Sequence, residues 1–351
     1  MSNKVINIAS FFAGAGGLDM GFKKAGFSIP WANEYDPTIW PSFQFNYPKT
    51  FLDKRSIVDV SSYDVPDVDG FVGGPPCQSW SEAGAGRGID DKRGKLFYDY
   101  IRILKEKQPK FFLAENVAGI LQPKHRAAFD DILKEFENAG YVISYKLLNA
   151  NDYGVPQDRM RVFIIGYHKS LNMKFVFPEP LKIKPVLKDA IFDVRNSKPA
   201  IGTQKTNGDD LDMPNNEYMT GGFSTIYMSR NRVRYWDEPS FTIQAGGRHA
   251  PLHPKAPKMI FVEQNKRIFV PGREEDYRRL TVRECARIQT FPDSYIFKYT
   301  NVADGYKMVG NAVPVNLAFE LAKVIYKDMS EFRIEEKLSE LMQKSKIIEF
   351  V

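Results

Sequence analysis

Cysteine is nearly missing from this chain: Cys77 and Cys285 are its only two in 351 residues. Two thiols make no disulfide framework, and with only four histidines they make no four-ligand zinc site without help, so metal catalysis is not expected. No apolar run reaches the length of about eighteen residues that a membrane span needs. The opening MSNKVINIASFF has neither a basic stretch followed by a long apolar one nor a small-residue cleavage site, so the expectation is a cytoplasmic protein with no membrane partner. Internal repeats, low-complexity tracts and the GxGxxG spacing of a pyrophosphate cradle are also lacking. What remains is an ordinary globular composition, 43% hydrophobic and 26% charged, long enough for a full core and a second, smaller domain.

The formal charge of +6 is unevenly spread, since Gly222 to Arg279 holds eleven Arg or Lys against six Asp or Glu. In that segment arginines interleave with Tyr227, Tyr235, Trp236 and Phe241, a mixture suited to phosphate contact, base-edge readout and stacking.

The first 165 residues alternate short β-rich runs with helical spacing, as a doubly wound parallel sheet does. The strands are expected at 5–12, 29–33, 70–73, 110–114, 141–148 and 161–166, with helices at 16–25, 36–46, 95–107 and 124–139. Beyond about residue 170 this rhythm breaks into Pro-rich and Asn-rich stretches such as PEPLKIKP. Helix signals return at 281–289, where Thr281 can cap and Glu284 stands at the third position, and again at 315–327. The expected division is therefore 1–170, 171–280 and 281–351, an α/β domain followed by a smaller irregular one and a closing segment.

Four stretches carry chemistry. Gly73-Gly74-Pro75-Pro76-Cys77 places a thiol on a stiff, donor-poor turn after an apolar run, with glycines that allow another molecule to approach closely. The bland alternative is a small core thiol, the reading given to Cys285 in its helix. Phe12-Ala13-Gly14-Ala15-Gly16-Gly17 follows the first strand, and Glu34 stands twenty residues after Gly14; together they suit an adenosyl ligand without a pyrophosphate, against a plain tight turn with a solvated acid. Glu115 ends the run KFFLA, where a partly desolvated carboxylate can donate a proton near neutral pH. Arg159 and Arg161 lie on one side of an extended segment, and an ion pair with Asp158 is their ordinary explanation.

Taken in chain order, FFAGAGG (11–17), Glu34, GGPPCQSWS (73–81), ENV (115–117), QDRMR (157–161), RRLTVRECARIQTFP (278–292) and GYKMVGNAVPV (305–315) resemble the DNA (cytosine-5)-methyltransferase family. YMSRNRVRYW (227–236) and FTIQAGGR (241–248) resemble its GGCC-specific, HaeIII-type subgroup. The resemblance implies a Rossmann-like domain 1–170 and a target-recognition domain 171–280. It makes Cys77 the nucleophile, Glu115 the partner of the cytosine N3, Arg161 the contact to its O2 and Arg159 a support for the same site and the backbone. S-adenosyl-L-methionine, leaving as S-adenosyl-L-homocysteine, would lie on Phe12, Gly14, Ala15, Gly17, Glu34, Tyr35, Ser56, Ile57, Pro76 and Leu96, closed from the far end by Asn311, Ala312 and Val313. Ser56 stands where the family normally offers an aspartate to adenine, with Asp53 and Asp59 as nearby alternatives. Double-stranded DNA would meet Ser81 and Arg87, in a loop that closes over the flipped base, and Arg230, Arg232, Arg234 and Arg248, which suit guanine edges or phosphates. A restriction endonuclease acting on the same site without a stable complex, and a monomeric state, are the partner expectations. A tRNA methyltransferase is disfavoured by the long 170–277 segment, a non-catalytic regulator by Cys77, Glu115 and Arg161 together, and a nicotinamide oxidoreductase by the lack of GxGxxG.

Overall fold

A computed structural model describes residues 5–75 and 96–348, with side chains described as far as residue 336. Seven strands form one sheet: β1 (Asn7–Phe11), β2 (Ser28–Asn33), β3 (Phe51–Asp53), β4 (Gly70–Gly73), β5 (Phe111–Val117), β6 (Tyr141–Asn149) and β7 (Met160–His168), in the order β3-β2-β1-β4-β5-β7-β6. The central strands β1, β4, β5 and β7 are buried on both faces and accordingly read as near-continuous apolar runs, whereas the edge strands β6 and β3 keep exposed positions. Alternation sorts them between two layers. Ile8, Val72, Phe111, Leu113, Phe163 and Ile165 point to one core, while Ala9, Phe11, Phe71, Phe112, Ala114, Val162 and Ile164 point to the other. On the first face lie α1 (Gly17–Ala25) and the C-terminal helices; on the second lie α3 (Leu96–Lys107) and α4 (Arg126–Asn138). The helix α2 (Trp40–Asn46) leads into β3.

The doubly wound α/β architecture is as the sequence implied, with one departure from an all-parallel sheet. Strand β7 runs antiparallel to both β5 and β6. Its connection from β6 is only the turn Ala150–Tyr153, Gly154 at φ 75° and the segment to Arg159. A parallel crossover needs about a dozen residues or more, commonly including a helix, so this short link folds back as a hairpin. The three-residue β3 was not foreseen, being too short for a period-2 pattern to show.

Residues 171–280 contain α5 (Leu187–Ile191) and two small ladders: β8 (Lys198–Pro199) beside β9 (Glu217–Tyr218), and β10 (Ile260–Glu263) beside β11 (Lys266–Ile268). Tyr227, Val233, Leu252, Ala256, Met259 and Tyr277 make a separate small core there. Helix α6 (Val282–Ile288) opens with the expected reciprocal cap between Thr281 and Glu284. The guanidinium of Arg283 donates to the carbonyls of Pro214 and Tyr295, each at 2.9 Å, which fixes this helix between neighbouring loops. Cys285 is fully buried, and burial pushes its thiol well above the usual range.

Two further helices close the fold, α7 (Val302–Asn311) and α8 (Val315–Ile348). The first was not expected, and the second extends well past Lys327. Helix α8 packs along α1 at Gly21, where a Cβ would fall 2.4 Å from that of Ala318. Lys24 Nζ donates to Asn316 Oδ1 at 3.2 Å, and Arg333 meets Asp69 at 2.6 Å. By length and composition the stretch Val302–Glu336 is apolar enough to cross a membrane, with a mean hydropathy of 1.3 over its best window, but 67% of that window is buried inside the fold.

Candidate active site

The strand order reverses between β1 and β4, and in such sheets ligands bind at the carboxyl ends of the strands beside that reversal. The glycine turn after β1 lies there, with Phe12, Gly14 and Gly16 at φ 51°, 55° and 72°. Among the described residues, only the Phe12 carbonyl of the same turn lies within 4 Å of where a Gly14 Cβ would stand. The Gly14 N–H donates to Glu34 Oε2 at 2.8 Å, while Asp36 N–H donates to Glu34 Oε1 at 2.8 Å. Burial raises the Glu34 carboxyl above its usual range, and these two amides pull it back. Tyr35 beside it is 69% exposed. Phe12, Ile57 and Leu96 converge on one apolar cluster. From the far end of the chain, the 312–313 segment presses on Gly17, where a Cβ would fall 2.3 Å from the Val313 carbonyl oxygen. Asn311 is exposed beside buried Ala312 and Val313. A glycine turn, a carboxylate held by backbone amides and an apolar shelf are the features an adenosyl ligand fits.

Ser56 caps the turn Ile57–Asp59, its Oγ accepting from Val58 N–H at 3.4 Å. Asp53 is buried and bonded to Arg55 at 2.6 and 3.0 Å; burial opposes its ionisation, but the Arg55 bonds and charge hold it below the usual range. Asp59 is exposed.

Glu115 and Arg161 share a face of neighbouring strands, because Glu115 pairs in register with Phe163 and Val117 with Arg161. Arg161 Nε lies 3.0 Å from Glu115 Oε1, with the two side chains 15% and 13% exposed. Burial pushes the Glu115 carboxyl up, and Arg161 and then Arg159 oppose it. Gly74 passes directly over this carboxylate: a Cβ there would lie 3.1 Å from Glu115 Oε2. Asn116 Nδ2 donates to the Pro75 carbonyl at 3.4 Å, tying the same arm to β5. Pro76, Cys77, Ser81 and Arg87 lie outside the described residues.

The two arginines of QDRMR diverge, and neither pairs with Asp158. Arg159, 1% exposed, donates to the carbonyls of Ile243 (2.9 Å), Gly310 (2.9 Å) and Ala312 (3.1 Å). It therefore joins the basic segment to the 310–312 segment, and among the described residues it forms no ion pair, although Glu115 acts on its charge. Asp158 instead binds Arg234 at 3.1 Å, and Arg234 also lies 4.3 Å from the Phe241 ring centre. Arg232 donates to the Tyr227 carbonyl at 2.9 Å and covers its ring. Arg230 and Arg248 are exposed, with no hydrogen bond or ion pair among the described residues.

Sequence reasoning missed two contributors. Gln157 Nε2 donates to Gln289 Oε1 at 2.9 Å, both residues fully buried; two amides 132 positions apart leave no local signal. Lys307 Nζ bonds Asp36 Oδ2, though the lysine sits inside the quoted GYKMVGN stretch.

The family model described as C-5 cytosine-specific DNA methylase matches residues 6–327. The chain is 59% identical to the type II methyltransferase M.MthTI of Methanothermobacter thermautotrophicus over 92% of its own length and 98% of that protein. It is 55% identical to M.FnuDI of Fusobacterium nucleatum over 97% and 99%, and 56% identical to M.NgoPII of Neisseria gonorrhoeae over 92% and 96%. Among solved structures, a putative DNA modification methyltransferase encoded within an E. coli prophage superimposes with a TM-score of 0.71 at 24% identity, covering 92% of this chain and 99% of that one. The Entamoeba histolytica methyltransferase EhMeth gives 0.67 at 15% identity, covering 93% and 99%.

Proposed function

Because this chain belongs to the C-5 cytosine-specific DNA methylase family, we propose that it methylates C5 of a cytosine flipped out of duplex DNA, with S-adenosyl-L-methionine as donor and Cys77 as nucleophile. The observation that carries this reading is the Glu115–Arg161 pair beneath Gly74, at the carboxyl edge of the sheet and three residues before Cys77. Cytosine C5 is a poor nucleophile. Addition of the Cys77 thiolate at C6 moves an electron pair into the ring, where Glu115 protonates or hydrogen-bonds N3 and Arg161 holds O2. The donor's sulfonium supplies the methyl group to C5 and leaves as the thioether S-adenosyl-L-homocysteine. Loss of the C5 proton then restores the ring and expels the Cys77 thiolate. Flipping the base costs a few kcal/mol, met by contacts outside the stack.

On this reading 1–170 is the catalytic domain and 171–280 chooses the site, which we assign as GGCC from the likeness of 227–236 and 241–248 to that subgroup. Its relatives' type II names support a place beside a restriction endonuclease acting on the same sequence. Duplex DNA carrying 5-fluorocytosine in GGCC should form a covalent adduct with the protein when the methyl donor is present, because fluorine cannot leave as the proton does, and Cys77→Ala should form none. No adduct on any DNA defeats the enzymatic reading. An adduct confined to another sequence retains the chemistry and discards GGCC.

A further inference from the structure

We propose that Lys307 is a positioning residue for the methyl donor: from α7 it holds Asp36, and through Asp36 it sets the carboxylate of Glu34 for the donor's ribose. The inference rests on the cofactor reading above and assigns a residue outside the expected binding set.

The connection is a chain of direct bonds. Lys307 Nζ bonds Asp36 Oδ2. The other oxygen of Asp36 accepts from Thr38 N–H at 3.0 Å and from its hydroxyl at 2.8 Å, so the carboxylate is fixed in one orientation. Asp36 N–H then donates to Glu34 Oε1, and Gly14 N–H to Oε2. One lone pair on each Glu34 oxygen is thereby used by the protein, and those remaining can accept ribose hydroxyls. Trp40 Nε1 holds the Glu34 carbonyl at 2.8 Å, with Lys54 over the indole ring. Because Lys307 stands in the helix that ends at Asn311, the same bond also fixes the 311–313 segment relative to the glycine turn.

Charge makes the arrangement more than a tether. The charged groups acting on Glu34 are Asp36, which favours its protonation, and Lys307, which opposes it; Asp19 of α1, whose own carboxyl Glu34 pushes up, is coupled to it as well, and burial already favours the proton. Removing Lys307 leaves Asp36 uncompensated beside a half-buried carboxylate. Glu34 then takes up a proton at higher pH than before, and the neutral carboxyl is a weaker acceptor for the ribose hydroxyls than the carboxylate. Both members of the ion pair keep some solvent contact, 39% for Lys307 and 24% for Asp36, so the effect is of surface-pair size.

Calorimetric titration with S-adenosyl-L-homocysteine, free of any turnover, tests this between about pH 5.5 and 8. Lys307→Met should bind about fivefold more weakly at neutral pH, with the deficit widening as pH falls. Lys307→Arg should restore the affinity. Adding Asp36→Asn to Lys307→Met should abolish the extra pH dependence, since the repelling charge is gone. In turnover, KM for the donor should rise while kcat and KM for DNA stay unchanged. A Lys307→Met profile identical to wild type overturns the proposal, as does a loss equal at every pH that Asp36→Asn leaves untouched. Failure of the wild-type protein to bind the ligand would instead overturn the cofactor reading.

Discussion

Asp19 is fully buried in the first turn of α1, beneath the glycine turn, and neither of its carboxylate oxygens completes a hydrogen bond among the described residues. Burial raises its pKa to about 7; the nearby Ser10 hydroxyl and its own N–H soften that rise, and Glu34 adds to it. The folded state therefore holds this proton more tightly than the unfolded chain, whose aspartate titrates near 3.8. Stability linked to Asp19 is fully present below about pH 4 and is lost as pH rises toward 7, by roughly 1.4 kcal/mol for each pH unit climbed between those values. Asp19→Asn should consequently match wild type in urea unfolding near pH 4 and exceed it by a few kcal/mol near pH 8. A variant that tracks wild type at both values removes the neutral-acid account. The surroundings of Glu115 and Glu34 were legible at this scale because their neighbours, a strand end and a glycine turn, are local. Those of Arg159 were not: the residue itself is singled out by its spacing to Arg161, but its three carbonyl partners come from residues 243, 310 and 312. A guanidinium that satisfies distant backbone leaves no pattern in its own surroundings.

Among the elements, the contact of α1 with α8 depends on Gly21 having no side chain. A Cβ would lie 2.7 Å from the Phe319 backbone nitrogen as well as 2.4 Å from Ala318 Cβ, and backbone cannot rotate away. Gly21→Val should cost about 1–3 kcal/mol in urea unfolding, whereas Lys24→Ala, at the exposed margin of the same contact, should cost well under about 1 kcal/mol. Equal effects would mean that the helices are held by their polar margin instead. Strands and helices with a strong period, such as Tyr141–Asn149 and α4, lay close to where the sequence put them. The direction of β7 was not readable from its own residues, because an apolar strand has the same composition whichever way it runs. It follows from the brevity of the link from Asn149 to Met160. That reversal brings the start of β7, and Arg161 with it, to the edge where the parallel strands end.

For the whole molecule, the basic 222–279 segment divides into arginines used by the fold and arginines left over. Arg232 and Arg234 are engaged with backbone, aromatic rings and Asp158, while Arg230 and Arg248 are exposed. Composition counted all four alike, since only the tertiary partners separate them. Arg230→Ala and Arg248→Ala should each weaken binding to a GGCC duplex by about 1–3 kcal/mol with unchanged thermal stability. Arg234→Ala should lower thermal stability first. Normal DNA affinity in both exposed-site variants would move site reading elsewhere. The ion pair of α8 with Asp69 and the bond between Lys24 and Asn316 span most of the chain, the latter across 292 positions. A ribosome adding about 5–20 residues per second makes Asn316 on the order of 15–60 s after Lys24. Throughout that interval Leu18, Gly21 and Phe22 lack the helix that covers them, and Gly17 lacks the 312–313 segment that presses on it. Until residues 315–332 have been made, α1 therefore presents an uncovered apolar face, the kind of surface that a chaperone binds.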